Sequence, residues 1–305
     1  MTTTSTPAST STPGTISTPG TTRITGTVSS TNTAGGDTTR ADIGVIGGSG
    51  LYDLLDGERV ELDTPWGAPS DALTVSDVEG RRVAFLPRHG RDHRFPPHRV
   101  NYRANLWALR ALGVRQVLAP CAVGSLKAEQ GVGTIVVPDQ LVDRTSGRAD
   151  TFYGEVGHVV HVGFADPYCP HGRHAAVAAG QSRGLPVVDG GTLVVVNGPR
   201  FSTRAESSWH QAQGWSIIGM TAMPEATLAR ELAMCLTSVA LVTDLDAGLD
   251  HGEGVTHAEV LRVFAANVGR VRDVLVDAIA KLPEPGSDCE CRHALDGQKL
   301  PFDLP

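Results

Sequence analysis

Two acidic residues follow an apolar stretch in the last third of the chain. Asp244 and Asp246 belong to the segment Thr243-Asp244-Leu245-Asp246, which follows the run from Ser238 to Val242. Residues at positions i and i+2 point the same way if strand geometry persists, so the two carboxyl groups are expected side by side. One of them can keep its proton and deliver it to a leaving group. The alternative is a pair of solvated carboxylates in a loop.

A glycine-rich segment offers a place for an anion. Gly47-Gly48-Ser49-Gly50 follows an apolar run, where backbone N–H groups can close around an anion and Ser49 adds a hydroxyl donor. The segment is not a dinucleotide-binding G-x-G-x-x-G motif, because Asp53 stands at the third glycine position, and it lacks the Gly-Lys-Ser/Thr of a P-loop. A tight structural turn is the alternative interpretation.

Two further segments carry groups suited to phosphate. Arg88 offers a rigid guanidinium fork, and His89 can donate from either ring nitrogen. Thr221 precedes Pro224 and a predicted helix, where helix N–H groups point at an anion. The alternatives are a structural Arg/His cluster for the first segment and an ordinary helix cap for the second.

Metal binding and nucleophilic catalysis are disfavoured at the other reactive side chains. His89, His93 and His98 have the spacing H-x3-H-x4-H in a proline-rich loop, without the H-E-x-x-H helix of a zinc enzyme. Cys121 follows a predicted strand, but no base partner is visible in the sequence. A small buried thiol is therefore the preferred interpretation of Cys121.

The five cysteines do not resemble the disulfide framework of a secreted protein, because their number is odd and they are widely scattered. Cys289 and Cys291, with His293 nearby, suggest a redox or zinc site. Two thiols one residue apart are too close for the usual zinc-finger spacing. The pair lies near the C-terminus beyond the last predicted helix and is treated as peripheral. The sequence does not decide between a disulfide and a bound metal ion.

The elements that must position these residues alternate between apolar strands and amphipathic helices. Strands are predicted at 43–46, 83–86, 114–119, 134–137, 193–196, 217–218 and 238–242, and helices at 102–112, 225–235 and 256–282. This alternation predicts a single α/β domain with a mainly parallel central sheet flanked by helices. In such sheets ligands gather at the carboxyl ends of the strands, where the candidate residues stand.

Composition limits the class of protein. The 305 residues are 40% hydrophobic and 19% charged, which permits a large core, and the net charge of −7 argues against a nucleic-acid partner. No stretch reaches the roughly 18 apolar residues of a membrane span, and no secretory signal is visible, so a cytoplasmic protein is expected. Residues 1–40 are rich in Thr, Ser, Gly and Pro and predict a disordered tail. A domain over 41–283 and a C-terminal extension over 284–305 follow.

Nine segments, taken in order, resemble the methylthioadenosine phosphorylase branch of the trimeric purine nucleoside phosphorylases. They are IGVIGGSGLYDL, DTPWGAPSDAL, LPRHGRDH, VNYRANLWALRALG, CAVGSL, VVPDQLVDRT, NGPRFSTRAES, GMTAMPEATLARE and VTDLDAG, within residues 42–280. The resemblance implies a single α/β domain with a twisted sheet, a homotrimer or a multiple of it, and a role in purine salvage. It also implies phosphorolysis, in which phosphate attacks the anomeric carbon and the purine departs with a proton on N7. Inorganic phosphate is then a co-substrate, and no metal or other cofactor, nucleic acid or membrane is implied.

The resemblance also assigns roles to individual residues. Phosphate binding falls to Ser49, Arg88, His89, Cys121, Ala122 and Thr221; ribose and base binding to Met220; base binding to Asp244 and Asp246, with Asp244 catalytic; and specificity to Ser202 and His257. The family often has Thr at the Cys121 position, and a thiol is a poorer donor than a hydroxyl. Its 6-oxopurine-specific members commonly present Asn in place of the aspartate pair, so this pair favours adenine-type bases.

Two departures from the family pattern concern the substrate. Gly219 stands where methylthioadenosine enzymes usually place Asn, and His257 stands at a position linked with the 5′ group. Small aliphatic residues at the latter position suit a methylthio group, whereas an imidazole can meet a 5′-hydroxyl or a halogen. We therefore predict phosphorolysis of 5′-deoxy-5′-substituted adenosines, methylthioadenosine first. The alternatives are an inosine or guanosine phosphorylase, a dinucleotide-binding dehydrogenase and a non-catalytic nucleoside-binding protein.

Overall fold

A computed structural model of the chain describes residues 21–25, 39–48, 51, 55–157, 159–249 and 255–305. Ser49, predicted to bind phosphate, lies outside these residues, as does most of the predicted tail. In the described part of the chain, no helix combines the length and the apolar character that crossing a membrane requires.

The described strands form a single mixed sheet. They are β1 (Thr21–Thr25), β2 (Ile43–Gly47), β3 (Glu58–Asp63), β4 (Leu73–Val78), β5 (Arg81–Pro87), β6 (Gln116–Ser125), β7 (Ile135–Val137), β8 (Gln140–Arg144), β9 (Val187–Asp189), β10 (Thr192–Val196), β11 (Ile217–Gly219) and β12 (Cys235–Asp244). The main strand order is β1-β3-β4-β5-β2-β6-β11-β10-β8. Off this path, β12 pairs with β6 and β7, and β7 also pairs with β9. Among these strands, seven pairings are parallel and four antiparallel, which confirms the mainly parallel sheet.

Helices cover both faces of the sheet. They are α1 (Tyr102–Ala111), α2 (Pro170–Ser182), α3 (Arg204–Ala212), α4 (Ala222–Glu231), α5 (Asp246–Leu249) and α6 (His257–Lys281). Leu109 of α1 and Leu228 of α4 belong to one apolar core, whereas Ala176 of α2 and Leu275 of α6 belong to another. The predicted α/β class is therefore confirmed.

Strand β6 shows why the central strands lack polar alternation. Val117 and Ala119 pack into the first core, while Leu118 between them packs into the second. A strand covered on both faces needs apolar side chains at every position, and this produces continuous apolar runs rather than alternating ones.

Capping interactions fix the ends of two helices. The Thr256 hydroxyl accepts a hydrogen bond from the backbone N–H of Glu259 at the start of α6, as the sequence spacing predicts. At α3 the reciprocal bonds of a complete capping box join Thr203 and Glu206. Helix α3 was not predicted from the sequence. The Thr-x-x-Glu spacing of Thr203 and Glu206 was a signal that could have identified its start.

Two sequence predictions differ from the structure. The helix predicted over 225–235 ends at Glu231, because Ala233 adopts a positive φ of 51° and Cys235 already begins β12. The disordered tail predicted over 1–40 does not hold for Thr21–Thr25, which pair in parallel with β3 as an edge strand. Threonine is β-branched and favours an extended backbone. The prediction of disorder rested on the overall composition of the segment and did not consider this preference.

Candidate active site

The site lies where the neighbours of β6 separate. On one side of β6, β2 pairs with residues 116–118 and β11 with residues 124–125. Within the described structure, residues 119–123 therefore have no partner strand on that side. Pro120 stands in this interval, and its carbonyl oxygen accepts a hydrogen bond from Arg88 at 3.1 Å. Because alternate residues of a strand direct their backbone groups to the same edge, we infer that the N–H of Ala122 faces the same opening.

One cavity at this opening collects the predicted site residues. Its lining includes Arg88, His89, Cys121, Ala122, Ser202, Met220, Thr221, Asp244, Asp246 and His257. They come from the ends of β5, β11 and β12, the middle of β6, the loop after β10 and the starts of α5 and α6. The structure thus brings the residues predicted to bind phosphate and those predicted to bind the purine to a single pocket, with the exception of Ser49, which is not described.

Arg88 is fixed by a residue that the sequence analysis missed. Its Nε and NH2 groups donate to the two carboxylate oxygens of Glu225 at 2.5 and 3.1 Å, and both side chains are 1% exposed. Burial by itself lowers the pKa of Arg88, but the charge and hydrogen bonds of Glu225 outweigh burial, so the pKa is raised. Two N–H bonds of the guanidinium are not used by Glu225 and Pro120, and these are available to an anion.

The surroundings of Gly48 show why one position of the glycine-rich segment requires glycine. A Cβ added at Gly48 would lie 2.9 Å from NH1 of Arg88 and 3.3 Å from the carbonyl oxygen of Pro120. Any larger residue would therefore disturb the hydrogen bond between those groups. The glycine is required by the close approach of the guanidinium, which is a more specific reason than a tight turn.

His89 is held as a neutral imidazole. Its Nδ1 lies 2.7 Å from the carbonyl oxygen of Phe95, which can only accept, so Nδ1 carries the hydrogen. Burial and then the positive charge of Arg88 lower the pKa of His89 to about 3. In this state Nε2 has no hydrogen and can only accept a hydrogen bond. The expectation that either ring nitrogen donates is therefore wrong for the neutral ring.

Cys121 and Thr221 lie beside Arg88 and Glu225. Burial raises the pKa of the Cys121 thiol, and Sγ lies 3.6 Å from the Ser238 hydroxyl oxygen. A protonated buried thiol agrees with the preferred interpretation of Cys121 and opposes a nucleophile. Thr221 occupies the position before α4, yet its side chain makes no capping bond, and the residue lines the cavity instead.

Asp244 has an environment that favours its protonated form. Burial raises the pKa of Asp244, although hydrogen bonds from Thr243 and from the backbone N–H of Asp246 oppose the shift. Thr243 Oγ1 lies 2.9 Å from Asp244 Oδ2 and 3.2 Å from the carbonyl oxygen of Val123. A hydroxyl has one proton, so if Thr243 donates to the carbonyl, the carboxyl group supplies the proton of the other contact.

Asp246 is both strained and short of a partner. It has a positive φ of 43°, which is uncommon outside glycine, and its backbone N–H donates to Asp244 Oδ1 at 3.0 Å. Its Oδ2 is buried with no hydrogen-bond partner in the described structure. A buried acceptor without a donor carries a free-energy penalty that a ligand N–H group would remove.

Gly124 makes room for both carboxyl groups. The register of β12 against β6 shifts after Val242, so that Asp244 pairs with Gly124. A Cβ added at Gly124 would lie 2.8 Å from Asp244 Oδ1 and 3.3 Å from the Cβ of Asp246. The aspartate pair therefore depends on a glycine in the neighbouring strand, 120 positions away in sequence.

Met220, Ser202, His93 and His257 also line the cavity. The rings of His89 and His93 stack with their centroids 4.6 Å apart. The ring centroids of His93 and His257 are 6.2 Å apart. Burial, followed by His257, lowers the pKa of His93. His98 is exposed and does not line the cavity, so the three histidines of the proline-rich loop do not converge as metal ligands.

The chain matches proteins of known sequence and structure. The family model described as "Phosphorylase superfamily" matches residues 42–280. A purine nucleoside phosphorylase of Streptomyces coelicolor is 62% identical over 275 residues, covering 87% of this chain and 98% of that protein. An S-methyl-5′-thioadenosine phosphorylase of Mycolicibacterium smegmatis is 54% identical over 268 residues, covering 86% and 99%. A methylthioadenosine phosphorylase of Schistosoma mansoni in complex with adenine superposes with a TM-score of 0.76 at 39% identity, covering 79% and 91%.

Proposed function

The chain belongs to the phosphorylase superfamily as an enzyme of the purine nucleoside phosphorylase type, and on this basis we propose that it splits 5′-deoxy-5′-substituted adenosines. The leading substrate is 5′-methylthioadenosine, and 5′-halogenated analogues are further candidates. The products are adenine and the 5-substituted ribose 1-phosphate. The similarity to S-methyl-5′-thioadenosine phosphorylases supports this choice of substrate.

The observation that carries the proposal is that the aspartate pair and the anion-binding residues line the same cavity. Arg88 and Thr221 supply a cation and a hydroxyl, while Asp244 and Asp246 supply a raised-pKa carboxyl group and a buried acceptor without a partner. A nucleoside with phosphate beside its ribose matches this division of charge. The unpartnered Oδ2 of Asp246 suits the 6-amino group of adenine, which donates a hydrogen bond, and repels the oxygen of a 6-oxopurine.

The reaction requires one nucleophile and one proton donor. A phosphate oxygen forms a bond to C1′ of the ribose, the bond from C1′ to N9 breaks, and its electron pair moves into the purine. Asp244 donates its proton to N7, so adenine leaves as a neutral molecule. Arg88, with its charge directed by Glu225, holds the phosphate against the positive charge that develops on the ribose.

His89 provides a complementary contact in this proposal. With Nδ1 bound to the carbonyl of Phe95, the neutral ring offers Nε2 as an acceptor for a protonated phosphate oxygen. A bound dianion favours the positively charged ring instead, in which Nε2 becomes a donor. No metal or further cofactor enters the proposed chemistry, and we expect a homotrimer or a multiple of it.

A second candidate is phosphorolysis of 6-oxopurine nucleosides such as inosine. The purine nucleoside phosphorylase of Streptomyces coelicolor, 62% identical to this chain, favours it, as does His257, whose imidazole can bind a 5′-hydroxyl. The aspartate pair opposes it, because two carboxyl groups without an amide offer poor recognition of a 6-oxo group.

A substrate panel tests the two candidates. Purified protein receives a constant phosphate concentration with methylthioadenosine, 5′-chloro-5′-deoxyadenosine, adenosine or inosine, and the release of free base is measured. We expect kcat/KM to be highest for methylthioadenosine and base release to stop when phosphate is omitted. Much faster cleavage of inosine would overturn the substrate assignment, and cleavage at the same rate without phosphate would overturn phosphorolysis.

A further inference from the structure

Four of the five cysteines meet in one buried cluster away from the active site. They are Cys169, Cys235, Cys289 and Cys291, with exposed fractions of 1%, 6%, 8% and 3%. Their Sγ atoms all lie within 4.8 Å of one another, and none is in a disulfide. None of the four lines the cavity that holds Arg88 and Asp244. The sequence analysis treated the Cys-x-Cys pair as peripheral because it lies near the C-terminus, beyond the last predicted helix.

The spacing of the sulfurs matches a single tetrahedral ion. Four thiolates about 2.3 Å from a central zinc ion lie about 3.8 Å from one another. Cys169 Sγ and Cys289 Sγ are 3.6 Å apart, far beyond the roughly 2.05 Å of a disulfide bond. A cluster of two or four irons would hold some or all of its cysteine sulfurs farther apart, because the four sulfurs are then divided among different irons.

The first pair of thiols is positioned by rigid elements. Cys169 precedes the first turn of α2, and its backbone N–H donates to the carbonyl of Leu236 at 2.8 Å. One turn later, a Cβ at Gly172 would overlap Thr237, so α2 begins in direct contact with β12. Cys235, the first residue of β12, is thereby held beside Cys169.

The second pair comes from the C-terminal extension. Cys289 and Cys291 flank the start of a short 3₁₀-helix, Glu290–His293, in which the N–H of Arg292 donates to the carbonyl of Cys289. His293 does not compete as a ligand, because its ring nitrogens contact Asp288 and Asp296 at 2.7 and 2.8 Å. The guanidinium of Arg230 lies 4.0 Å from Cys291 Sγ and can offset the negative charge of a tetrathiolate site.

We propose that Cys169, Cys235, Cys289 and Cys291 bind one zinc ion as a structural site. On binding, the four thiols release their protons to solvent and each sulfur forms one bond to the metal. Because all four positions are filled by protein, the site is closed and has no place for substrate. Its function is to fasten the C-terminal extension to α2 and β12.

The fastened segment covers an apolar part of the domain. Downstream of the cluster, Phe302 stacks on Tyr153 at 5.3 Å and contacts Trp107 at 5.5 Å. The carbonyl oxygen of Pro305 accepts from Arg110 at 2.6 Å. Release of the metal is therefore expected to loosen a segment that contributes to the first core.

Metal analysis of the full chain tests the proposal. Protein purified under reducing conditions without chelator is measured for zinc, iron and other transition metals by mass spectrometry. We expect one zinc per chain, C235S and C291S each with less than a tenth of that content, and C121S with full content as the matched control. Removal of the metal is expected to lower Tm by about 5 °C or more, irrespective of the nucleoside that the enzyme accepts.

A cobalt titration of the metal-free wild-type chain tests the site without any variant. Its result therefore does not depend on whether C235S and C291S fold. One equivalent of Co²⁺ should produce the thiolate charge-transfer and intense ligand-field bands of a tetrahedral sulfur site. One iron per chain bound by the same four residues would replace zinc and overturn the choice of metal. An intact mass lower by four hydrogens, with no metal, would show two disulfides instead and overturn the proposal, as would four free thiols that take up neither zinc nor cobalt.

Discussion

At the scale of single residues, Asp244 is a carboxyl group whose surroundings favour the proton. Burial raises its pKa. If the Thr243 hydroxyl donates its hydrogen to the carbonyl oxygen of Val123, its oxygen can accept the proton of the Asp244 carboxyl group. Asp246 complements it as an acceptor without a donor. Two carboxyl groups with different environments can thus take the separate roles of acid and acceptor.

Replacement of Asp244 by Asn is expected to lower kcat for methylthioadenosine by about 100-fold or more, because the amide cannot protonate N7. Since the acid form is the active one, wild-type activity should fall as pH rises through the raised pKa of Asp244, and the variant should lose this dependence. The measurement is adenine release between pH 5 and 9. D277N, which changes a surface aspartate on α6, is the control with wild-type kinetics.

The same variant allows a more specific test of the acid. A nucleoside whose purine already carries a methyl group on N7 has a cationic leaving group and needs no proton. D244N should lose far less activity on such a substrate than on the unmethylated nucleoside. Equal losses on both substrates would assign Asp244 to binding alone.

Replacement of Glu225 by Gln is expected to destabilise the protein by about 3–5 kcal/mol, because the buried Arg88 keeps its charge and loses its partner. The measurement is urea unfolding in phosphate-free buffer.

Phosphate should raise Tm more in the variant than in the wild type, because the anion then meets the uncompensated guanidinium. E259Q, which removes the carboxylate from an exposed pair with Arg262, is the control with little change. An equal phosphate effect in both proteins would show that Arg88 does not contact phosphate.

At the scale of elements, the site exists because β2 and β11 leave the middle of β6 without a partner. The opening exposes backbone groups of the interval 119–123 to a ligand, and β12 on the other side of β6 delivers the aspartate pair at its end. Glycine at position 124 lets the two strands and the start of α5 approach.

Replacement of Gly124 by Ala is expected to lower kcat/KM at least about tenfold, because the added methyl group displaces the Asp244 carboxyl from the purine. Circular dichroism should show the wild-type fold. G131A is the matched control, since no atom lies within 4 Å of its added Cβ and its φ suits alanine. Wild-type kinetics in G124A would show that the carboxyl position tolerates displacement.

At the scale of the whole molecule, His89 links the active site to acid stability. Its pKa is about 3 in the folded protein and about 6.5 when unfolded, so between these values the unfolded state binds a proton that the folded state does not. The stability contributed by the neutral ring is therefore present above pH 6.5 and is lost as the pH falls towards 3.

Replacement of His89 by Gln should remove this dependence. Below pH 6.5, the free energy of unfolding of the wild type should fall more steeply than that of H89Q, by about 1.4 kcal/mol per pH unit. The measurement is urea unfolding at several pH values without phosphate, so that ligand binding does not contribute. Parallel curves for the two proteins would contradict a buried neutral histidine.

Local patterns in the sequence determined most of the elements around the site. The apolar runs predicted the central strands, because a strand covered on both faces leaves no position for a polar side chain. The end of β6 was predicted wrongly: the strand continues from residue 119 to Ser125 and so includes Cys121 and Ala122. The periodic stripe and Thr256 predicted α6. The motifs also identified Arg88, Asp244 and Asp246, since their side-chain chemistry is readable without a structure.

Only the tertiary structure decided which distant residues meet. Glu225 pairs with Arg88 across 137 positions, Gly124 accommodates Asp244 from another strand, and Cys169 joins Cys289 across 120 positions. Periodicity and capping report interactions within a few residues of one another, whereas these contacts form when strands and helices pack. The sequence thus determined the local elements and the reactive groups, and long-range packing decided their partners, because burial and close approach have no local signature.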